Sequence, residues 1–239
     1  MNIKSLSCVF LLIGSKALAQ DSLPKHQVQF SLNSFTISDV PRYNVGYFYS
    51  LNEKYKIGFT LGFGSNGMLL GNVGNKTWTE IVGKPQQNFK IFEFKPEIQK
   101  HFRLNKKTTH FIGLQAQFLK HTDHFANRVN FITADEMYSV RAKSGDFSRT
   151  KLGLLFDYGM QIHLNKKKSF GLVPKIGVGI KSRYVKYDNL TDPIYTQRTN
   201  DGETQMFFYF DDSQANFYKY SGTYIGFDMS FDLSLFYRF

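Results

Sequence analysis

The side chains best able to do chemistry fall into two sets. The first is His121-Thr122-Asp123-His124, two imidazoles and a carboxylate within four residues, all ordinary transition-metal ligands. It lies at the root of a long polar connection, so solvated loop chemistry is its expected role and no metal site is assigned. The second set is dispersed: Glu93, Lys95, Glu97, Asp157, Lys175, Asp228, Asp232 and Arg238 each stand between two apolar or aromatic residues. Charges removed from water must pair, so the expected role of this set is a salt-bridged, hydrogen-bonded core. The sharper alternative is a proton or ion path, or a catalytic carboxylate. No nucleophile, base and orienting acid stand together as acyl transfer would require. No catalytic residue and no cofactor is therefore assigned.

What must position the second set is an alternating backbone. From Ile225 every second residue is apolar: Phe227, Met229, Phe231, Leu233, Leu235, Tyr237 and Phe239 follow, with Gly226, Asp228, Ser230, Asp232, Ser234, Phe236 and Arg238 between them. A period of two means one extended strand with one apolar face. Its length exceeds the usual soluble strand of about five or six residues and suits a tilted membrane strand of about 9 to 11. Similar faces run from Leu152 to Leu164, from Phe170 to Ile180, from Ile112 to Phe118, from Phe92 to Ile98, from Ile57 to Phe63 and from Tyr43 to Leu51. A weaker face, Val28, Phe30 and Leu32, makes eight strands.

The formal charge of +11 and the three consecutive lysines Lys166, Lys167 and Lys168 raise the question of a polyanion partner. The lysines belong to a repeated turn. Leu51-Asn52-Glu53-Lys54, Leu104-Asn105-Lys106-Lys107 and Leu164-Asn165-Lys166-Lys167-Lys168 each join two alternating runs. Asn tolerates the left-handed backbone of tight hairpins and lysine keeps the tip solvated. The other four connections, roughly 34–42, 65–88, 120–149 and 183–219, are long. Three short turns alternating with four long loops match an up-and-down barrel of eight strands with both ends on the short-turn side.

The compartment is expected from the N-terminus. MNIKSLSCVFLLIGSKALAQ has the layout of a cleaved secretory signal peptide, with the cut expected after Ala19 and a barrel domain over 20–239. The only cysteine, Cys8, falls inside the apolar core of that peptide, so disulfides play no part in the expected mature chain. A secreted chain has no nucleic acid partner. The lysine tips are placed instead at the anionic headgroups of an inner leaflet.

Together, the AQ-type cleavage, the repeated LNxK turns, the strand pieces FKPEIQ and LVPKIGVGI and the terminal FDLSLFYRF resemble the small outer-membrane β-barrel domain proteins of Bacteroidota. That group includes PorT-like proteins, and the likeness extends more broadly to OmpA/OmpX-type barrels. The resemblance implies an all-β, transmembrane, up-and-down antiparallel barrel, with short periplasmic turns and long extracellular loops. It also implies outer-membrane lipid and the barrel-assembly machinery as partners, with Tyr237 and Phe239 as the C-terminal assembly signal. Pro96 and Pro174 depart from strand chemistry because each removes a ladder donor, and a bulge or irregular pairing is expected at each.

Several expectations concern the loops. Residues 194–210, around Asn200-Asp201-Gly202, read as a hairpin rising beyond the membrane; if it crosses instead, the barrel has ten strands. The cluster Phe207, Phe208, Tyr209 and Phe210 is read as loop packing ahead of a partner patch, and Trp78 is placed in the second long loop. The leading function is a non-enzymatic barrel whose loops contact an envelope or secretion partner. The alternatives are a lipid-modifying enzyme, a narrow channel and a soluble lipocalin-like barrel, which would line its interior with the apolar face.

Overall fold

The structure, a computed structural model, describes residues 25–31, 42–65, 88–102, 108–125, 129–135, 137–198 and 220–239. The expected signal peptide, the turn at 104–107, Trp78, Asn200 to Gly202 and Phe207 to Phe210 lie outside the described residues. Eleven strands are described: β1 (His26–Ser31), β2 (Tyr43–Ser50), β3 (Tyr55–Ser65), β4 (Lys90–Phe102), β5 (Thr108–Phe125), β6 (Val129–Ile132), β7 (Tyr138–Ala142), β8 (Ser144–His163), β9 (Phe170–Thr191), β10 (Ile194–Gln197) and β11 (Gly222–Arg238).

Eight of them form a closed antiparallel ring in the order β1-β11-β9-β8-β5-β4-β3-β2. Each ring strand therefore neighbours its sequence neighbours, and β1 closes the ring by pairing with both β2 and β11. The two ends of the ring meet: the backbone N–H of His26 donates to Phe239 O at 3.2 Å, and that of Phe239 to His26 O at 3.0 Å. They lie beside the short turns, as expected. There is no ten-stranded ring, because β10 pairs with β7 in a separate sheet of order β10-β7-β6.

Alternation decides which face is which. Ile225 is 75% exposed, Ile180 63%, Met229 60% and Leu152 56%, all on the outside. Glu93 and Asp157, on the inside, are at 0%. A lipocalin-like barrel with an apolar lining is thus not what forms. Rings of aromatic side chains border the outer band. Phe63, Phe92 and Phe118 follow one another at centroid spacings of 5.3 and 6.3 Å on the long-loop side. On the turn side, Tyr237, Phe239, His26 and Tyr49 do the same, and Phe102, His110 and Tyr158 form a second group.

Two long connections are not the loops expected. The expected loop 120–149 contains the end of β5, the hairpin of β6 and β7 and the start of β8; the expected loop 183–219 begins with nine residues that complete β9, and β10 follows. The cause is an inversion of polarity. On β5 Ile112, Leu114, Ala116 and Phe118 face out, but from Leu119 onward Leu119, His121 and Asp123 are buried inside while Lys120, Thr122 and His124 face out. On β8 the outward residues become Ser148 and Thr150, while Phe147 turns inward. On β9 Ser182 ends the outward apolar run and Val185 lies inside. The period of two persists while its phase reverses: polar side chains now face out and apolar ones pack into a small core inside.

The turns also work differently from expectation. Asn52 Oδ1 accepts from the backbone N–H groups of Lys54 and Tyr55, both at 2.9 Å. Asn165 Oδ1 accepts from Ser169 N at 2.9 Å and Phe170 N at 3.2 Å, and Asn165 Nδ2 donates to Ser169 Oγ at 2.7 Å. The asparagine serves through its side-chain acceptor, as in Asx turns. The left-handed residue is Lys168, at φ 57°. Pro96 and Pro174 each interrupt pairing on one side, with β5 and β8 respectively, while remaining in register with β3 and β11 on the other. Neither produces a bulge.

Candidate functional site: the barrel interior and its outer mouth

At the turn end the lining is aromatic and amide. Phe48, Phe111 and Phe236 point inward and are 0 to 1% exposed. Each lies directly across a ladder pair from a glycine: Phe48 from Gly58, Phe111 from Gly159 and Phe236 from Gly171. A Cβ on these glycines would come within 2.4 to 2.7 Å of the facing ring, so the glycines are the space into which the rings fold. Beside them Lys56 Nζ donates to Gln27 Oε1 at 2.8 Å, and Arg238 donates to Gln27 Oε1 at 2.9 Å and also to Gln161.

The middle of the barrel holds the expected ionic set. Lys175 Nζ is 2.7 Å from Glu97 and 3.5 Å from Asp157, and donates to Gln115 Oε1 at 2.9 Å. Gln99 Nε2 donates to the other Glu97 oxygen at 2.7 Å, and its own carbonyl meets His101 Nε2 at 2.9 Å. Asp232 accepts from Ser31 and Ser234, each at 2.5 Å. Nearer the mouth, Glu93 is held by Arg42 at 2.9 Å, Lys95 at 3.2 Å and Gln117 at 2.6 Å. Asp228 lies 3.0 Å from Lys151 and 3.6 Å from Lys181.

Glu93, Lys95, Glu97, Asp157, Lys175, Asp228, Asp232 and Arg238 are thus placed on the inner side of the ring, gathered about Lys175, Glu93, Asp228 and Gln27. Sequence reasoning missed Arg42, Lys56, Lys151, Lys181 and the neighbouring Arg149 and Arg183, all inward. Their signal was available: Lys56 sits two residues before Gly58, and Lys181 and Arg183 continue the inner positions of Gly177 and Gly179. With these residues the lining is cation-rich, most markedly on β8 and β9.

The mouth is closed by apolar packing. Phe89, Ile91, Leu119, Phe147 and Val185 form one buried cluster inside the ring. Val129, Phe131, Val140 and Ala142 form a second, the core of the small sheet, and Phe125 and Tyr187 pack against both. At the far side the small sheet reaches β11: Ile132 bridges Tyr220, and Ser221 N donates to Ile132 O at 2.9 Å. Gly222 permits that approach, with φ 107° and a would-be Cβ 2.6 Å from Ala134 Cβ. The outer ends of β5, β8 and β9 and the small sheet together form a crown over the mouth.

His121-Thr122-Asp123-His124 sits in this crown and does not converge on a metal. The alternation of β5 sends His121 and Asp123 inward and His124 outward. His121 lies edge-on to Phe89 and Phe147, and burial holds its imidazole well below the ordinary histidine range. Asp123 Oδ1 accepts from the backbone N–H groups of His124 at 2.8 Å and Asn88 at 3.3 Å, yet burial pushes its carboxyl up to about 6. His124 Nδ1 instead meets Asp146 at 2.7 Å on the outer surface. Among the described residues no group of three or more His, Cys, Asp or Glu side chains is placed to hold a metal ion.

No family model matches the sequence, and no curated protein does. Among solved structures, the chain is similar to CarO of Acinetobacter baumannii, with a TM-score of 0.39 and 8% identity over 92% of this chain and 100% of that one. A likeness of that depth decides nothing about function. The eight-stranded antiparallel ring is established by its own ladder pairings.

Proposed function

We propose that this chain is an integral outer-membrane barrel without enzymatic activity, whose crown presents a surface to a protein of the cell envelope. The observation that carries the membrane assignment is the outer surface. From Leu152 to Ile162 every outward residue of β8 is apolar or aromatic. Those ten steps cover about 33 Å along the strand and about 25 Å along the axis at a typical tilt, the height of the apolar band of membrane barrels. Ion pairs inside and apolar side chains outside reverse the arrangement of a water-soluble barrel. Heat-modifiable gel migration of outer-membrane fractions tests this: the folded chain is expected in the membrane fraction, migrating faster before boiling. Recovery in the soluble periplasm would refute it.

The interior argues against a channel. Phenylalanines fill the turn end, ion pairs the middle and an apolar cluster the mouth. Planar-bilayer recordings are expected to give no steady conductance. On the crown, Met137, Tyr138, Ile194 and Tyr195 are exposed, at 38 to 61%, and form the apolar surface offered to a partner. A pull-down with the double variant Ile194→Ser, Tyr195→Ser is expected to lose the partners of the native chain; unchanged partners would refute the crown as docking surface. The finer assignment, a PorT-like accessory of a secretion complex in Bacteroidota with Tyr237 and Phe239 read by the barrel-assembly machinery, is supported by the sequence resemblance.

A further inference from the structure

The outer surface over β4, β5 and β8 carries three zones stacked along the barrel axis. Uppermost, at the polarity reversal, Lys120 Nζ donates to Ser148 Oγ at 2.9 Å and Thr150 Oγ1 at 3.2 Å, bridging the two strands. Lys90 and Thr122, cross-strand partners, face out alongside. Further up, Asp146 is engaged by His124 and by Asn189 Nδ2, each at 2.7 Å. Phe92, the cross-strand partner of Lys120, and Phe118, the next outward residue down β5, form an aromatic collar beside and below that lysine. Below the collar lies an apolar hollow of about 530 Å³ that extends across β3 to β2, lined among others by Tyr47, Phe59, Phe94, Pro96, Ala116 and Leu154.

The hollow exists because Pro96 and Ala116, where larger side chains would stand, face out side by side where the β4–β5 ladder is interrupted. Its volume falls within the range of small-ligand sites. Ala116 is four residues below Lys120 on the same strand face, about 13 Å along the strand. A cation sharing two hydroxyls, set above an apolar slot at that separation, has the form of a phosphate site with a place for a chain beneath it. Lysine and hydroxyl donors give charge-assisted hydrogen bonds to phosphate oxygens.

We propose that this wall holds one phosphate-bearing membrane lipid of the leaflet on the crown side, with its phosphate on Lys120, Ser148 and Thr150 and an acyl chain in the hollow. The site rests on the membrane assignment made above. It is tested by native mass spectrometry of the purified full chain in detergent, offered either dipalmitoyl phosphatidate or dipalmitoylglycerol, which has the same chains without the phosphate. The wild type is expected to retain phosphatidate preferentially. Lys120→Gln is expected to lower that retention about fivefold, the effect of about one surface lysine on an anionic lipid. Ala116→Phe, which fills the hollow, is expected to lower retention of both lipids, and Lys166→Gln at the opposite end to change neither. Equal retention of the two lipids by the wild type, or unchanged phosphatidate retention in Lys120→Gln, would overturn the site. If Lys120→Gln does not fold, the pair Ser148→Ala and Thr150→Val gives the same two outcomes. Failure of the membrane assignment would look different: the wild type itself would be released from vesicles by an alkaline carbonate wash.

Discussion

Phe131 and Tyr187 stack with their ring centroids 4.1 Å apart and their planes 8° from parallel. One ring belongs to the small sheet and the other to the inner face of β9, so this pair fastens the crown to the barrel. Phe131→Ala is expected to loosen the crown and leave the ring of eight strands intact, because nothing in the band depends on it. The change should remove roughly 3 kcal/mol of local stability, at the low end for emptying a buried aromatic site. Limited proteolysis checks this: new cleavage is expected between residues 126 and 143, with unchanged heat-modifiable migration.

Lys175 is shared between Glu97 and Asp157 deep inside the barrel. Removing one partner of a buried pair strands the other charge, so Lys175→Met is expected to destabilise by about 3 to 5 kcal/mol in urea unfolding from lipid vesicles. Adding Glu97→Gln to it should recover part of that loss. A double variant no better than the single would refute the pairing.

Asp123 ties the crown to Asn88, two residues before β4, and makes it sensitive to pH. Its folded carboxyl holds a proton up to about 6, against an ordinary value of 3.8. Between those values the folded form binds more protons than the unfolded one, so stability falls as pH rises from about 4 to about 6 and stays lower above that. Hydrogen exchange at the outer ends of β5 and β8, corrected for the intrinsic pH dependence, is expected to show greater protection at the acid end. Asp123→Asn should abolish the difference.

At the β8–β9 turn, Asn165→Ala removes the acceptor of two backbone donors and is expected to destabilise by about 1 kcal/mol. Lys168→Gly should act oppositely, by up to about 1 kcal/mol, since glycine meets no Cβ penalty at φ 57°. Equilibrium unfolding of both variants distinguishes the side-chain role of Asn165 from a backbone role.

The ring was legible in the sequence because an outward apolar band forces a period of two with constant phase, and the spacing of short and long connections then sets strand number. Reading failed where the solvent changes. Beyond Lys120, Thr150 and Ser182 the strands continue, but an eye following outward apolar residues loses them, since Leu119, Phe147 and Val185 have taken the buried role. The cation-rich lining was missed for the same reason: Arg149, Lys151, Lys181 and Arg183 lie just beyond the apolar runs that had been followed. The three glycines facing Phe48, Phe111 and Phe236 were visible as small inner residues, yet their purpose depends on register, which only the pairing of distant strands reveals. His121 and His124 look like neighbours in the sequence and are separated by the barrel wall.

The seam of the ring is its shortest member. β1 has six residues, whereas β5, β8 and β9 have eighteen to twenty-two, and one of its two ladders joins His26 to the last residue, Phe239. Contacts so far apart along the chain form late and slowly. The wall from β2 to β11 can zip in sequence order as a curved, open sheet, and closure waits on a few hydrogen bonds near the two termini. The same short ladder is where the finished cylinder would unzip first.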